Sequence, residues 1–239
     1  MPKDNFKRKT ILAVAAHPDD VDFGLAGSVA KWVKEGAAVF YLICTNGDKG
    51  SADPKMTSVK LAKIRRAEQR VAAKVLGVKK VFFLDHNDGE LEPNLKLKEE
   101  IAKIIRTVKP KIVVTTDPAM RYSQLRGYIN HPDHVAAGEA TLAAVYPLAR
   151  DRLTFPQHAS QGLAPHQVSQ VLLTSFDNPN FFVDITSTID KKLQALKCHR
   201  SQIGNFPNLE KRIRDLASSL GKLAKTKYAE GFKRIILNL

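Results

Sequence analysis

The chain has 239 residues, 44% hydrophobic and 26% charged: enough for a sizeable core, and too rich in regular Val/Ile/Leu runs for intrinsic disorder. No stretch approaches the ~20 uncharged apolar residues of a membrane-spanning helix, and the basic start Met1–Lys9 leads into an apolar run broken by His17 and two aspartates, unlike a signal peptide. Two cysteines, Cys44 and Cys198, cannot build a disulfide scaffold and point to a reducing cytoplasm, while the formal net charge of +14 is compatible with nucleic acid, anionic lipid or an acidic substrate as partner.

In chain order, Thr10–Ala16 is an unbroken apolar run, which predicts a strand buried on both faces. A turn and a helix from about Gly24 to Lys34 follow, closed by Gly36. Ala38–Thr45 reads as a second strand, and Asn46–Gly50 as a glycine-rich turn. Val59–Leu76 is predicted helical, because Leu61, Ile64, Val71 and Val75 share one face and Gly77 ends it. Val81–Asp85 is a third strand, Leu95–Val108 a helix before Pro110, Ile112–Thr116 a fourth strand, Val135–Tyr146 a helix and Val168–Phe176 a fifth strand. Val183-Asp184 reads as a short extension of the sheet, and Ile185–Arg200 and Leu209–Leu220 as helices. The alternation predicts an α/β fold: a Rossmann-like, open, mostly parallel sheet with helices on both faces and extra C-terminal helices. Without a linker or repeats, residues 1–239 read as one domain, with 185–239 a basic helical C-terminal part. Residues 191–239 hold 12 Lys/Arg against 3 acidic residues. That excess reads as a solvated helical face, since neither an aromatic-interleaved RNA motif nor zinc-finger spacing accompanies it.

The first strand runs into His17-Pro18-Asp19-Asp20. Ligands in open parallel sheets bind at the carboxyl ends of strands, and three ionisable groups there call for a compensating charge. Pro-Asp-Asp alone is ordinary turn and N-cap chemistry, but that does not account for the histidine. After the fourth strand comes Asn130-His131-Pro132-Asp133-His134. With Pro132 in a first helical turn, His131 and His134 fall near one face. His17, Asp20 and His134 would supply two nitrogens and one carboxylate and leave a position open, the pattern of a catalytic zinc site with one ion per chain.

These motifs resemble the PIG-L/LmbE-like zinc-dependent N-acetylglucosaminyl deacetylases. The resemblance extends to Thr45–Gly50, Arg65-Arg66-Ala67-Glu68 with Ala72 and Leu76-Gly77, Leu84 with Asp88–Leu91, Pro132–Gly138, and Lys192, Ala195-Leu196 and His199–Gln202. It implies zinc ligation by His17, Asp20 and His134, a general base at Asp19, an acid or electrostatic partner at His131 with Asp133 as its orienter, and substrate binding by Arg65 and Asp88. The chain departs from the family where an acidic residue and Gly-Gly often follow the aspartates: here the run is Val21-Asp22-Phe23-Gly24-Leu25-Ala26-Gly27. Some relatives also place a tyrosine two residues before the first histidine of the second motif, where this chain has Ile129 with Tyr128 one step earlier.

The implied function is a zinc-dependent hydrolase that removes the N-acetyl group of an N-acetylglucosamine-type amide, with a small amino-sugar substrate as partner. Self-association into a homo-oligomer is compatible with the sequence. Two other readings compete. One is a non-catalytic, metal-containing binding module whose basic surface meets nucleic acid or an acidic partner. The other is a phosphoesterase, which would want two metals and more carboxylates. Of the remaining polar candidates, His86 reads as a loop residue, His158 and His166 as part of a flexible polar segment, His199 as a structural hydrogen-bonder and Cys44 as a small core residue.

Overall fold

The computed structural model describes residues 6–124, 127–174, 177–204 and 206–238. The start of the basic N-terminal run (1–5) and the last two positions of the predicted fifth strand (175–176) lie outside them. The elements are β1 (Thr10–Ala15), α1 (Asp20–Lys34), β2 (Ala38–Thr45), α2 (Ser58–Leu76), β3 (Lys80–His86), α3 (Leu95–Val108), β4 (Ile112–Thr116), a small hairpin of β5 (Tyr122–Ser123) and β6 (Tyr128–Ile129), and α4 (Pro132–Ala143). After a π-helical turn (Ala144–Leu148) follow α5 (Gln157–Ser160), β7 (Gln170–Thr174), β8 (Phe181–Asp184), α6 (Ile189–Leu196), α7 (Arg200–Ile203), α8 (Leu209–Ala224) and β9 (Ala229–Ile236).

The main sheet has seven strands in the order β3-β2-β1-β4-β7-β9-β8. Its first five are mutually parallel, and β9 runs antiparallel to both β7 and β8. The central strand shows why its sequence has no alternation. Ile11, Ala13 and Ala15 pack on one face with Val29, Trp32 and Leu193, while Leu12, Val14 and Ala16 pack on the other with Ile101, Ala137 and Ala140. Helices α1, α2, α6 and α8 thus cover one face, and α3, α4 and the π-helical turn the other. Local signals agree with these elements: Thr57 and Asn94 cap α2 and α3 through their side chains, and Gly77 ends α2 in the left-handed conformation.

Three sequence expectations are corrected. Helix α1 begins at Asp20, four residues before the expected Gly24, with Asp20 and Asp22 in its first turn. Helix α4 stops at Ala143 instead of continuing to Tyr146, because Tyr146 precedes Pro147 and takes an extended conformation (φ −145°, ψ 123°). The C-terminal part is not wholly helical: residues 229–236 are the strand β9. No helix among the described residues is long and apolar enough to cross a membrane.

Candidate metal centre

Strands β1 and β4 are neighbours, and from them the chain moves outward in opposite directions, to β2 and β3 on one side and to β7 on the other. Such a switch point opens a crevice at the carboxyl ends of the two strands. The first site loop is fixed at its root by Thr45, whose backbone N–H and hydroxyl both donate to the Ala16 carbonyl. His17 follows, and Asp19 caps α1 in an unusual backbone conformation, φ 100° and ψ −30°. For a residue with a Cβ that conformation costs on the order of 1–3 kcal/mol. From the other strand, the loop after β4 carries the β5–β6 hairpin and delivers His131 as N-cap of α4, with Pro132 in the first turn.

Three donor groups converge between these loops. His17 Nδ1 lies 3.3 Å from His134 Nε2 and 3.4 Å from Asp20 Oδ2, and His134 Nε2 lies 3.1 Å from Asp20 Oδ1. The far nitrogen of each ring is already engaged. His17 Nε2 faces Asp88 Oδ1 at 3.0 Å and Asp133 Oδ2 at 3.1 Å, and His134 Nδ1 faces Asn130 Oδ1 at 2.9 Å. Carboxylate and amide oxygens can only accept there, so each far nitrogen carries the hydrogen, which frees His17 Nδ1 and His134 Nε2 to be ligands. Two ring nitrogens and a carboxylate turned toward one point suit a divalent metal.

The electrostatics agree. Burial alone would lower the His17 pKa, but bonds to Asp133, Asp20 and Asp88 push it up to about 12, so this point of the crevice favours positive charge. His17, Asp88, His131 and Asp133 also form a compact group. In that group His17 uses Nε2, which the two carboxylates already occupy, so these residues buttress the first cluster.

Asp19 is nearly buried, and burial raises its pKa to about 6 against the opposing pull of Arg65. The Arg65 guanidinium donates to Asp19 Oδ1 at 3.3 Å, to the Pro18 carbonyl at 2.7 Å and to the Gly47 carbonyl at 2.9 Å, and lies 3.8 Å from Asp88. A Cβ at Gly47 would come within 2.7 Å of that guanidinium, and the backbone there has φ +65°, so both space and conformation require glycine. Asp88 is held down to about 2: burial raises it, but the bond and charge of His17 outweigh burial.

The sequence-predicted site residues therefore meet in one crevice, with two contacts that differ from expectation. Asp133 does not bond His131. Its carboxylate accepts from His17 Nε2, from Gly89 N at 2.7 Å and from Leu91 N at 3.2 Å, and lies 3.9 Å from His131 Nδ1. His131 Nδ1 instead accepts the Asp133 backbone N–H at 3.2 Å, which puts the ring hydrogen on Nε2. Burial and the nearby His17 hold the His131 pKa below its ordinary value, not above it. Sequence reasoning missed Asn130 and Gln69. The signal for Asn130 was its place directly before the second motif. For Gln69 it was a polar residue one turn after Arg65 on the buried side of α2.

The other histidines are structural. His199 bonds Asp22 at 2.7 Å, His86 sits at the end of β3 against Glu100, and His166 bonds the Pro110 carbonyl. His158, expected in a flexible loop, is buried on α5 next to Arg106.

The PIG-L family pattern, described as GlcNAc-PI de-N-acetylase, matches residues 12–145, more than half the chain and the span from within β1 through α4. The chain belongs to the PIG-L family. Its PIG-L relatives include the diacetylchitobiose deacetylase of Thermococcus kodakarensis, 34% identical over 94% of this chain and 82% of that protein. A second is a probable N-acetyl-alpha-D-glucosaminyl L-malate deacetylase of Bacillus anthracis, 27% identical over 80% of each chain. Among solved structures, the N,N'-diacetylchitobiose deacetylase of Pyrococcus horikoshii superposes with a TM-score of 0.90 at 31% identity, covering 98% of this chain and 86% of that one.

Proposed function

We propose that the chain is a zinc-dependent amidohydrolase that removes the N-acetyl group of a small N-acetylglucosamine-type sugar and releases acetate and the free amine. One observation carries the reading: three ligand atoms converge on one point, and a second carboxylate, Asp19, stands beside them without being needed as a ligand. The relatives support the substrate class, since their names share a 2-acetamido sugar or its deacetylation.

His17, Asp20 and His134 would hold one zinc, which would supply Lewis acidity to polarise the amide carbonyl and lower the pKa of the attacking water toward ~7. Asp19 takes the proton from that water as it attacks. Its raised pKa brings it nearer the working pH, where a general base is most effective. The His131 Nε2–H donates to the oxygen on which negative charge develops. Asp19 then returns its proton to the leaving nitrogen, so the water's two hydrogens end on the amine and the acid. Asp133 and Asp88 fix the His17 ring from behind. The contacts of Arg65 favour a holding role for Asp19 over direct sugar binding.

We place the enzyme in the cytoplasm and read residues 1–239 as one catalytic unit. The basic surface of α8 gives little support to the binding-module alternative, since Lys211 pairs with Asp215 and Arg214 with Glu210 and Asp190. The test is elemental analysis of protein purified without added metal, followed by acetate release from N-acetylglucosamine, diacetylchitobiose and phosphorylated N-acetylglucosamine. About one equivalent of zinc and turnover of at least one of these sugars is expected. Full metal content in the double variant His17→Ala with His134→Ala would overturn the ligand assignment.

A further inference from the structure

Asp19 combines two features that do not stabilise one another: a backbone with φ 100° and a carboxylate in the catalytic crevice. Backbone strain at such a site persists only if the surroundings over-determine it. The Asp19 carbonyl accepts the Asp22 and Phe23 N–H groups, each at 2.9 Å, in the first turn of α1, and the other side of its backbone is held by a side chain. The Asp19 N–H donates to Gln69 Oε1 at 2.8 Å. Gln69 is fully buried on α2, and its amide has one permissible orientation, because Nε2 donates to Asp22 Oδ2 at 2.8 Å. The same Asp22 oxygen accepts from His199 Nε2 at 2.7 Å, and Tyr41 donates to the other oxygen at 3.4 Å. Asp22 and His199 are themselves buried, so water does not compete for these groups.

His199 stands 180 positions after Asp19 and is fixed in its turn. It caps α7, and the next turn of chain is pinned to α2 by Ser201, whose N–H and hydroxyl donate to Glu68 at 2.9 and 2.6 Å. Gln202 reaches across to the Gly50 carbonyl at 3.2 Å. A chain of single-orientation bonds therefore runs from the His199–Gln202 segment through Asp22 and Gln69 to the backbone of one residue.

We infer that Gln69, Asp22 and His199 form a positioning relay that holds Asp19 in its positive-φ conformation, so that its carboxylate stays in the crevice as the base. The inference rests on the deacetylase reading for its kinetic consequence and on geometry alone for its conformational one. None of the three residues belongs to the groups of side chains that could hold a metal. Gln69 is the decisive link: without its oxygen the buried Asp19 N–H is orphaned, and only the Arg65 bonds to the Pro18 carbonyl and the Asp19 carboxylate and the first-turn bonds to the Asp19 carbonyl still oppose relaxation to negative φ.

The experiment has a structural and a kinetic arm. Crystal structures of the zinc-loaded wild type and of Gln69→Met should show Asp19 at positive φ in the first and negative φ in the second, with zinc retained in both. Positive φ kept in the variant overturns the relay, whatever the enzyme's substrate. In the kinetic arm, Gln69→Met should lower kcat on diacetylchitobiose on the order of 10–100-fold with KM within about twofold, and cost less than about twofold further in an Asp19→Asn background. Multiplicative losses in that background, or a change in KM alone, would show that Gln69 does not act through Asp19. Should Gln69→Met not fold, Gln69→Asn serves. It keeps an amide for Asp22 but is one methylene too short for Asp19, and the same outcomes apply. A wild type that releases no acetate from any acetamido sugar overturns the deacetylase reading, and the backbone comparison then decides the relay by itself.

Discussion

Asp19 and Asp20 are adjacent in sequence and differ in every surrounding. Asp20 lies among two imidazoles, which hold its carboxyl well below the usual range although burial opposes them. Asp19 faces a guanidinium and a buried amide and is pushed up to about 6. The two should separate on substitution. Asp19→Asn should keep zinc and lose about 10²–10⁴ in kcat, whereas Asp20→Asn should lose the metal, both read by elemental analysis beside acetate release. His199 offers a second residue-level check. Burial lowers its pKa, the Asp22 carboxylate at 2.7 Å raises it, and the net direction is up. A raised folded value contributes stability that is complete below the unfolded value of ~6.5 and is lost as pH climbs through the folded value. The stability gap between wild type and His199→Gln should therefore be widest below about pH 6.5 and shrink above it in urea titrations over a pH series. A gap that grows with pH would mean that His199 folds as the neutral ring.

At the scale of elements, the site depends on how closely α4 approaches β4. A Cβ at Gly138 would meet the Thr116 carbonyl oxygen at 2.4 Å, and that atom is backbone, so it cannot swing away. Gly138→Ala should cost about 1–3 kcal/mol by chemical denaturation and weaken zinc binding with it, because the same helix carries Asp133 and His134. Unchanged zinc affinity would show that the start of α4 is held by its loop alone. Elements with a clear apolar pattern, an unbroken run in the buried strands or a single apolar face in the helices, were legible in the sequence: β1 through β4, α2 and α3 lie within a residue or two of expectation. The start of α1 was not, because Val21-Asp22-Phe23-Gly24 puts a carboxylate on the buried side, and only the tertiary partners Gln69 and His199 make that tolerable. Strand β9 was missed for a related reason. Ala229–Ile236 contains Glu230, Gly231, Lys233 and Arg234, a polar pattern whose buried member finds its counter-charge 38 residues earlier in the chain. The residues proposed as metal ligands could be picked out because their chemistry is local to two short motifs. The true partner of Asp133 was not, since it depends on how the loop after β3 folds over the crevice.

For the molecule as a whole, Glu230 ties the last strand to the first helix. Its carboxylate accepts from Lys192 Nζ at 2.6 Å and from the backbone N–H groups of Gly27 and Ser28 at 3.1 and 2.7 Å, all in the interior. Removing one partner of a buried pair leaves an uncompensated charge, so Lys192→Met should destabilise by about 3–5 kcal/mol. The double variant Lys192→Met with Glu230→Gln should recover part of that loss in the same unfolding assay. The parallel arrangement of β1, β2 and β4 has a practical consequence. Every ligand-bearing loop leaves the sheet at one rim, and the turn at Glu35-Gly36 lies at the other, where Glu35 is exposed. At ~3.3 Å per residue, eight-residue β2 sets that turn roughly 26 Å from Thr45 beside the crevice. Burial pushes the Cys44 thiol far up, and only Cys198, which is half-buried, would compete. A Glu35→Cys protein that also carries Cys198→Ser should thus take a single maleimide at neutral pH, and a bead or electrode coupled there would hold the enzyme with its mouth facing the solution.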